Sequence, residues 1–212
     1  QRWGELPGSA ETLAIAQAAV RHRGLTLVIA RDTDQALSLE QELAFFLQAQ
    51  PELELLSLPD WETLPYDLFS PHEDIVSQRI RTLHRLPQIS RGLLVIPART
   101  LMHRLPPVQF TEGNTLILEE NQTVDLAGWR LRLEAAGYRH VDNVYQHGEY
   151  AVRGSVLDIF PMGSDQPLRV DLFDDSIESL RLFDPETQRS REQIGRIALL
   201  PANEFPWDDK AR

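Results

Sequence analysis

The apolar positions of this chain follow one rule in its first half and another in its second. Residues 25–30 (LTLVIA), 53–58 (LELLSL) and 92–98 (GLLVIPA) are short apolar runs that read as strands, the first and third with the pattern of strands buried in a parallel sheet. Between the first two runs, Ala36, Leu39, Leu43, Phe46 and Leu47 recur at helical spacing, and Asp32 or Thr33 can cap that helix by accepting from its free N–H groups. An earlier helical run covers residues 13–20. A third helix opens on Glu73 and Asp74 and ends among His84, Arg85 and Pro87, with charges placed to suit the helix dipole. Residues 99–105 read as a short helix stopped by Pro106 and Pro107. Strand and helix alternate throughout, which predicts an α/β layer with a parallel sheet.

The pattern changes near residues 106–113. A strand at 115–119 is followed by a helix near 123–136 that uses Leu126, Trp129 and Leu133 and is closed by Gly137. Three strands joined by tight turns come next, at 151–160, 168–173 and 177–183, with residues 161–165 and then Asp174, Asp175 and Ser176 turning the chain. The middle strand alternates strictly: Leu168, Val170 and Leu172 face one way, Arg169, Asp171 and Phe173 the other. The first set is core. The second is either a solvated face with one stray aromatic or a protein-binding face, since arginine and aromatic residues are enriched at interfaces. Residues 196–201 (RIALLP) read as a strand leading back towards the first sheet. The organisation expected is thus an α/β domain over 1–113, an inserted α+β domain with an antiparallel meander over 114–198, and a return segment over 199–212.

Composition narrows the chemistry. At 212 residues, 42% hydrophobic and 25% charged, the chain has material for one large or two small globular domains. Its net charge of −11 sets the surface as a whole against nucleic acid. The absence of cysteine excludes disulfides and thiolate chemistry. No apolar run is long enough to span a membrane, and a cytoplasmic protein is expected. The first residue is not methionine and the last stretch is open, which suggests a fragment. The six histidines (22, 72, 84, 103, 140 and 147) form no ligand pair of recognisable spacing, and no metal site is expected. His147 reads as a turn or packing residue. Asp171, Asp174, Asp175 and Glu178 straddle a turn and read as solvated. Trp61, Tyr66 and Phe69 could stack on bases, but their loop is acidic and packing fits better.

One stretch resembles a phosphate-binding loop in position only. Residues 5–12 precede the first helix as a P-loop would, but Glu5 and Ala10 replace glycines, and Glu11 stands where the lysine belongs. A carboxylate facing a triphosphate inverts the electrostatics. From the residues alone this is an ordinary helix start.

Several stretches are specific enough to point to a family: Asp60-Trp-Glu-Thr-Leu-Pro-Tyr-Asp67, Phe69-Ser-Pro-His72, Gly137-Tyr-Arg-His-Val-Asp142, His147-Gly-Glu-Tyr150, and Arg153-Gly through Phe160-Pro-Met-Gly-Ser164. Over essentially the whole chain these resemble the N-terminal, UvrB-homology region of bacterial transcription-repair coupling factors (the Mfd family). The region is similar in turn to the excision-repair helicase UvrB, whose P-loop would fall on Gly8, Ser9, Ala10, Glu11 and Thr12. The resemblance implies a RecA-like domain without working ATPase motifs, carrying an inserted module that binds the repair protein UvrA. Only residues 67–71 lie between Tyr66 and His72, too few for UvrB's long DNA-gripping hairpin, which fits the coupling-factor branch. Carried over residue by residue, the UvrA-binding face falls on Arg153, Arg169 and Asp171, with Phe173 as the aromatic of the coupling-factor branch. UvrB has a further arginine where this chain has Ala151, which implies a less arginine-rich contact.

On this resemblance the chain is expected to be a non-catalytic adaptor with no catalytic residues and no cofactor. ATP, Mg, RNA polymerase and DNA would engage motor and polymerase-binding domains elsewhere in an ATP-dependent translocase. The alternatives are a nucleotide-binding helicase-core fragment, opposed by Glu11, and a damaged-DNA-binding module of UvrB type, opposed by the net charge.

Overall fold

A computed structural model describes residues 6–63 and 70–205. In chain order the elements are α1 (Ala10–Arg21), β1 (Leu25–Ala30), α2 (Thr33–Phe46), β2 (Glu54–Ser57), α3 (Glu73–Arg85), β3 (Gly92–Pro97), α4 (Val108–Gly113), β4 (Leu116–Glu119) and α5 (Leu126–Ala135). Then follow β5 (Arg139–His140), β6 (Glu149–Arg153), β7 (Val156–Ile159), β8 (Leu168–Phe173), β9 (Ser176–Phe183), β10 (Ser190–Ile194) and β11 (Arg196–Leu199). The chain divides into two compact units, one of residues 1–64 with 85–105 and the other of 65–84 with 106–212. Among the described residues no helix is long and apolar enough to cross a membrane.

In the first unit the three apolar runs form a parallel sheet in the order β1, β3, β2. All six residues of β3 are buried, as the unbroken run requires of a central strand. Gly92 starts β3 opposite both Leu25 and Glu54. A Cβ there would lie 2.5 Å from the Glu54 carbonyl oxygen, so only glycine fits the close approach. Ala16 and Ala19 of α1 pack with Ala36, Leu39 and Leu43 of α2 and with Val28, Leu93 and Val95 of the sheet. Asp32 caps α2 by accepting from the Gln35 N–H at 2.9 Å, an interaction worth about 1 kcal/mol. The helix expected over 99–105 is only a 3₁₀ turn at Thr100–Met102.

The second unit is built on a six-stranded sheet, β10-β9-β8-β7-β6-β5, antiparallel except for the short β5. Its inner face carries Leu157, Ile159, Leu168, Val170, Leu172, Ile177 and Leu180, and these pack with Trp129 and Leu133 of α5 and Ile80 of α3. The run over 151–160 is two strands rather than one. Gly154, at φ +62°, and Ser155 turn the chain so that Arg153 pairs with Val156. A glycine at the first position of a two-residue hairpin suits the twist of the flanking strands. The apolar character of both strands hides this turn from periodicity. A bulge between β8 and β9 leaves Glu178 without a partner, so Ile177 and Leu180, three apart, both face the core.

The segment 196–201 does not rejoin the first sheet. Here β11 pairs antiparallel with β4, Leu199 against Leu116, because β4 offers it an edge within the same unit. Leu199, Leu200 and Ala202 lie in the second unit's core, and the return segment drawn from residue 199 therefore sits with the second unit over its described part. Most of α3 belongs there as well, so the first unit is not the continuous stretch 1–113 that the pattern predicts. Its Arg79 is fully buried and donates through Nε and Nη2 to the two carboxylate oxygens of Glu204, at 2.8 and 2.7 Å. Nearby, the buried Tyr138 hydroxyl donates to the Leu200 carbonyl at 2.7 Å and accepts from the Met162 N–H at 3.2 Å. Burial pushes that phenol well above its ordinary range.

Candidate partner-binding face

Cross-strand register assigns residues to the outer face of the second unit's sheet. Asp158 lies opposite Ala151 and Arg169, Val156 opposite Arg153 and Asp171, and Arg169 opposite Arg181. Because side chains alternate, directly paired residues share a face. Arg153, Arg169, Asp171 and Phe173 are therefore all on this face, with Arg169 and Asp171 half-buried and Phe173 70% exposed. Arg153 reaches it across β7 rather than directly from a strand neighbouring β8.

Asp158 organises the face, and sequence reasoning missed it. Its carboxylate is fully buried and accepts from Arg169 Nε at 2.7 Å and from Arg169 Nη2 at 2.9 Å. It also accepts from Arg153 Nη2. One acid thus fixes both arginines, the first bidentately, which holds the guanidinium plane as well as its position. The Arg169 guanidinium lies 4.9 Å over the Phe183 ring and donates from Nη1 to the Gln188 carbonyl at 3.2 Å. The Asp158 hydrogen bond, aided by the charges of Asp158 and Asp171 and opposed by burial, raises the Arg169 pKa above its ordinary value. Asp171, between Arg169 and Phe173 on the same face, is engaged elsewhere. Its carboxylate accepts from the Ser179 hydroxyl at 2.8 Å. A signal for Asp158 was present: a carboxylate inside the run Val-Leu-Asp-Ile-Phe is out of place unless something charged meets it.

The neighbouring positions explain the departure at Ala151. It is 1% exposed and packs with Val144, Phe160 and Phe183, so a long charged side chain has no room there. Asp174, Asp175 and Glu178 are exposed, and Asp174 adopts φ +53° in the β8–β9 turn. Among the described residues no three His, Asp or Glu side chains converge to hold a metal ion. His147 packs 4.1 Å from the Phe160 ring, with Nδ1 2.8 Å from Asp74 Oδ1 and Nε2 2.8 Å from the Ser164 carbonyl. Trp61 packs against His103, the ring centroids 4.8 Å apart and the planes tilted by 51°, whereas Tyr66 and Phe69 lie outside the described residues.

At the start of α1, Gly8 takes φ +55° and Ser9 stands at the N-cap without a side-chain cap bond. Ala10 begins the helix, Glu11 is exposed in its first turn, and Thr12 is 3% exposed beneath it. The helix N-terminus thus meets a fixed negative charge. Glu5 lies outside the described residues.

The family model of the UvrB interaction domain matches residues 116–205. That span contains β4 to β11 and all four residues of the candidate face. Along 98% of its length the chain is 49% identical to the transcription-repair-coupling factor of Escherichia coli. The corresponding values are 48% identity over 97% of the chain for Haemophilus influenzae and 32% over 94% for Staphylococcus aureus. The chain is thus similar throughout to the UvrB-homology region of transcription-repair coupling factor. It spans 18% of the length of the Escherichia coli and Haemophilus influenzae coupling factors.

Proposed function

We propose that this chain is the UvrA-recruiting module of a transcription-repair coupling factor, acting in transcription-coupled nucleotide excision repair. The observation that carries the reading is the outer sheet face itself. Arg153 and Arg169 are fixed on one buried carboxylate beside an exposed Phe173, all within the residues that match the UvrB interaction domain. Arginine anchors with an exposed aromatic are the residue types that dominate interface energetics. In this reading the first unit is a degenerate RecA-like layer. ATP and Mg serve motor domains elsewhere in a cytoplasmic, ATP-dependent DNA translocase that displaces stalled RNA polymerase. The test is calorimetric titration of purified UvrA with this chain. A saturable isotherm supports the module; no heat and no capture of UvrA on beads carrying the chain would remove it.

A non-catalytic role also requires that the start of α1 bind no nucleotide. Glu11 occupies the position of the phosphate-binding lysine, and its charge opposes a triphosphate. Titration with Mg-ATP should give no saturable heat at millimolar nucleotide, and a micromolar isotherm would favour the helicase-core reading. Ala10→Gly with Glu11→Lys need not restore binding, because a working site needs further catalytic motifs.

A further inference from the structure

We infer that Arg181 is a third arginine of the binding face, and that the groove it shares with Arg169 receives a carboxylate side chain of the docking protein. The inference rests on the reading above and extends it to a residue outside the motifs that suggested the face. Arg181 lies on β9 directly opposite Arg169 of β8, so the two guanidinium stems leave the sheet side by side on the same face. Like charges placed directly opposite in an antiparallel pair destabilise the sheet. Arg169 discharges its share onto Asp158. Arg181 is exposed and, among the described residues, has neither a hydrogen bond nor an ion pair. An exposed arginine left unpaired beside Arg169 is open to meet a carboxylate that the partner supplies.

The groove has the composition for this. About 500 Å³ in volume, it is bounded by Arg153, Arg169, Arg181, Asp171, Gln188 and Ser190, with Val156 on its wall. Both oxygens of the Asp158 carboxylate are engaged by Arg153 and Arg169, and Asp171 accepts the Ser179 hydroxyl. Three guanidinium groups therefore face two carboxylates, which leaves one positive charge in excess on a chain whose net charge is −11. That local excess is unsatisfied within the described residues and open to solvent. An acidic protein side chain fits it better than a nucleic-acid backbone, because a polyanion approaching the groove must also approach the acidic remainder of the surface.

The experiment is UvrA titration of the parent chain and of Arg181→Ala, Arg181→Glu and Arg181→Lys, with thermal melting of each. Arg181→Ala should weaken UvrA about 10-fold and Arg181→Glu about 100-fold or more. Arg181→Lys should retain part of the affinity, since the charge remains while the planar fork is lost. The salt dependence of binding should be shallower for Arg181→Ala than for the parent. Melting should move the other way: removing the like-charge pair leaves the melting temperature unchanged or raises it, which a residue of merely structural value would not do. If the parent binds UvrA and Arg181→Glu binds it equally well, the inference falls while the proposed function stands. If the parent does not bind, the proposed function falls with it. A loss confined to duplex DNA, with UvrA binding kept, would also overturn the inference.

Discussion

Glu204→Gln should unfold the second unit about 10 °C or more below the parent. Arg79 and Glu204 meet through two hydrogen bonds in the core, with side-chain exposures of 0% and 4%. Removing one partner of such a pair leaves a charge in a medium that solvates it poorly, at a cost of about 3–5 kcal/mol. In a unit of this size each kcal/mol lowers the melting temperature by about 2–4 °C or somewhat more. Replacing both residues with apolar ones, Arg79→Met with Glu204→Leu, should recover much of the loss, because neither charge of the pair is then buried without the other. The measurement is thermal melting followed by circular dichroism. A Glu204→Gln variant that melts as the parent does would mean that the pair contributes nothing net.

Phe173→Ala and Arg169→Ala should each weaken UvrA binding by about 2 kcal/mol or more, roughly 30-fold. Arg153→Ala belongs to the same set, whereas Glu178→Ala, at the rim, should cost well under 1 kcal/mol. Phe173 is 70% exposed, so its removal should change the fold little and the contact greatly. The arginines differ in this respect, because each is tied to a buried carboxylate. Asp158→Asn should weaken UvrA binding although the residue is fully buried, since its loss releases both guanidinium groups from their fixed positions. Titrations of folded variants decide the matter, and equal affinity for Phe173→Ala, Arg169→Ala and Arg153→Ala would place the site elsewhere.

Much of this architecture was legible in the residues themselves. The apolar runs announced parallel strands, although only β3 is buried throughout while Leu27 and Ile29 of β1 are exposed; Asp32, one of two candidates, caps α2; and the strict alternation of β8 separated core from face. What escaped was whatever depends on a neighbour in space. The hairpin at Gly154 and Ser155 lies between two apolar strands, so no change of period marks it. Asp158 acquires its meaning only from Arg153 and Arg169, five and eleven residues away along the chain. The bulge at Glu178 shifts the period of β9 by one residue, which propensity does not register. Likewise, nothing in the run of β11 distinguishes a return to the first sheet from its actual pairing with β4 in a two-stranded sheet of their own. The resemblance to a family pointed to β8 as the candidate face, but it left Arg181 aside because the motifs it drew on end before β9.

The ion pair between Arg79 and Glu204 has a consequence for how the protein is made. The two residues are 125 positions apart. At ribosomal rates of roughly 5–20 residues per second, Arg79 is synthesised about 6–25 seconds before its carboxylate exists. Throughout that interval the two-pronged contact with Glu204 cannot form. The final packing of α3 in its own unit is therefore completed only after the last part of that unit has been translated.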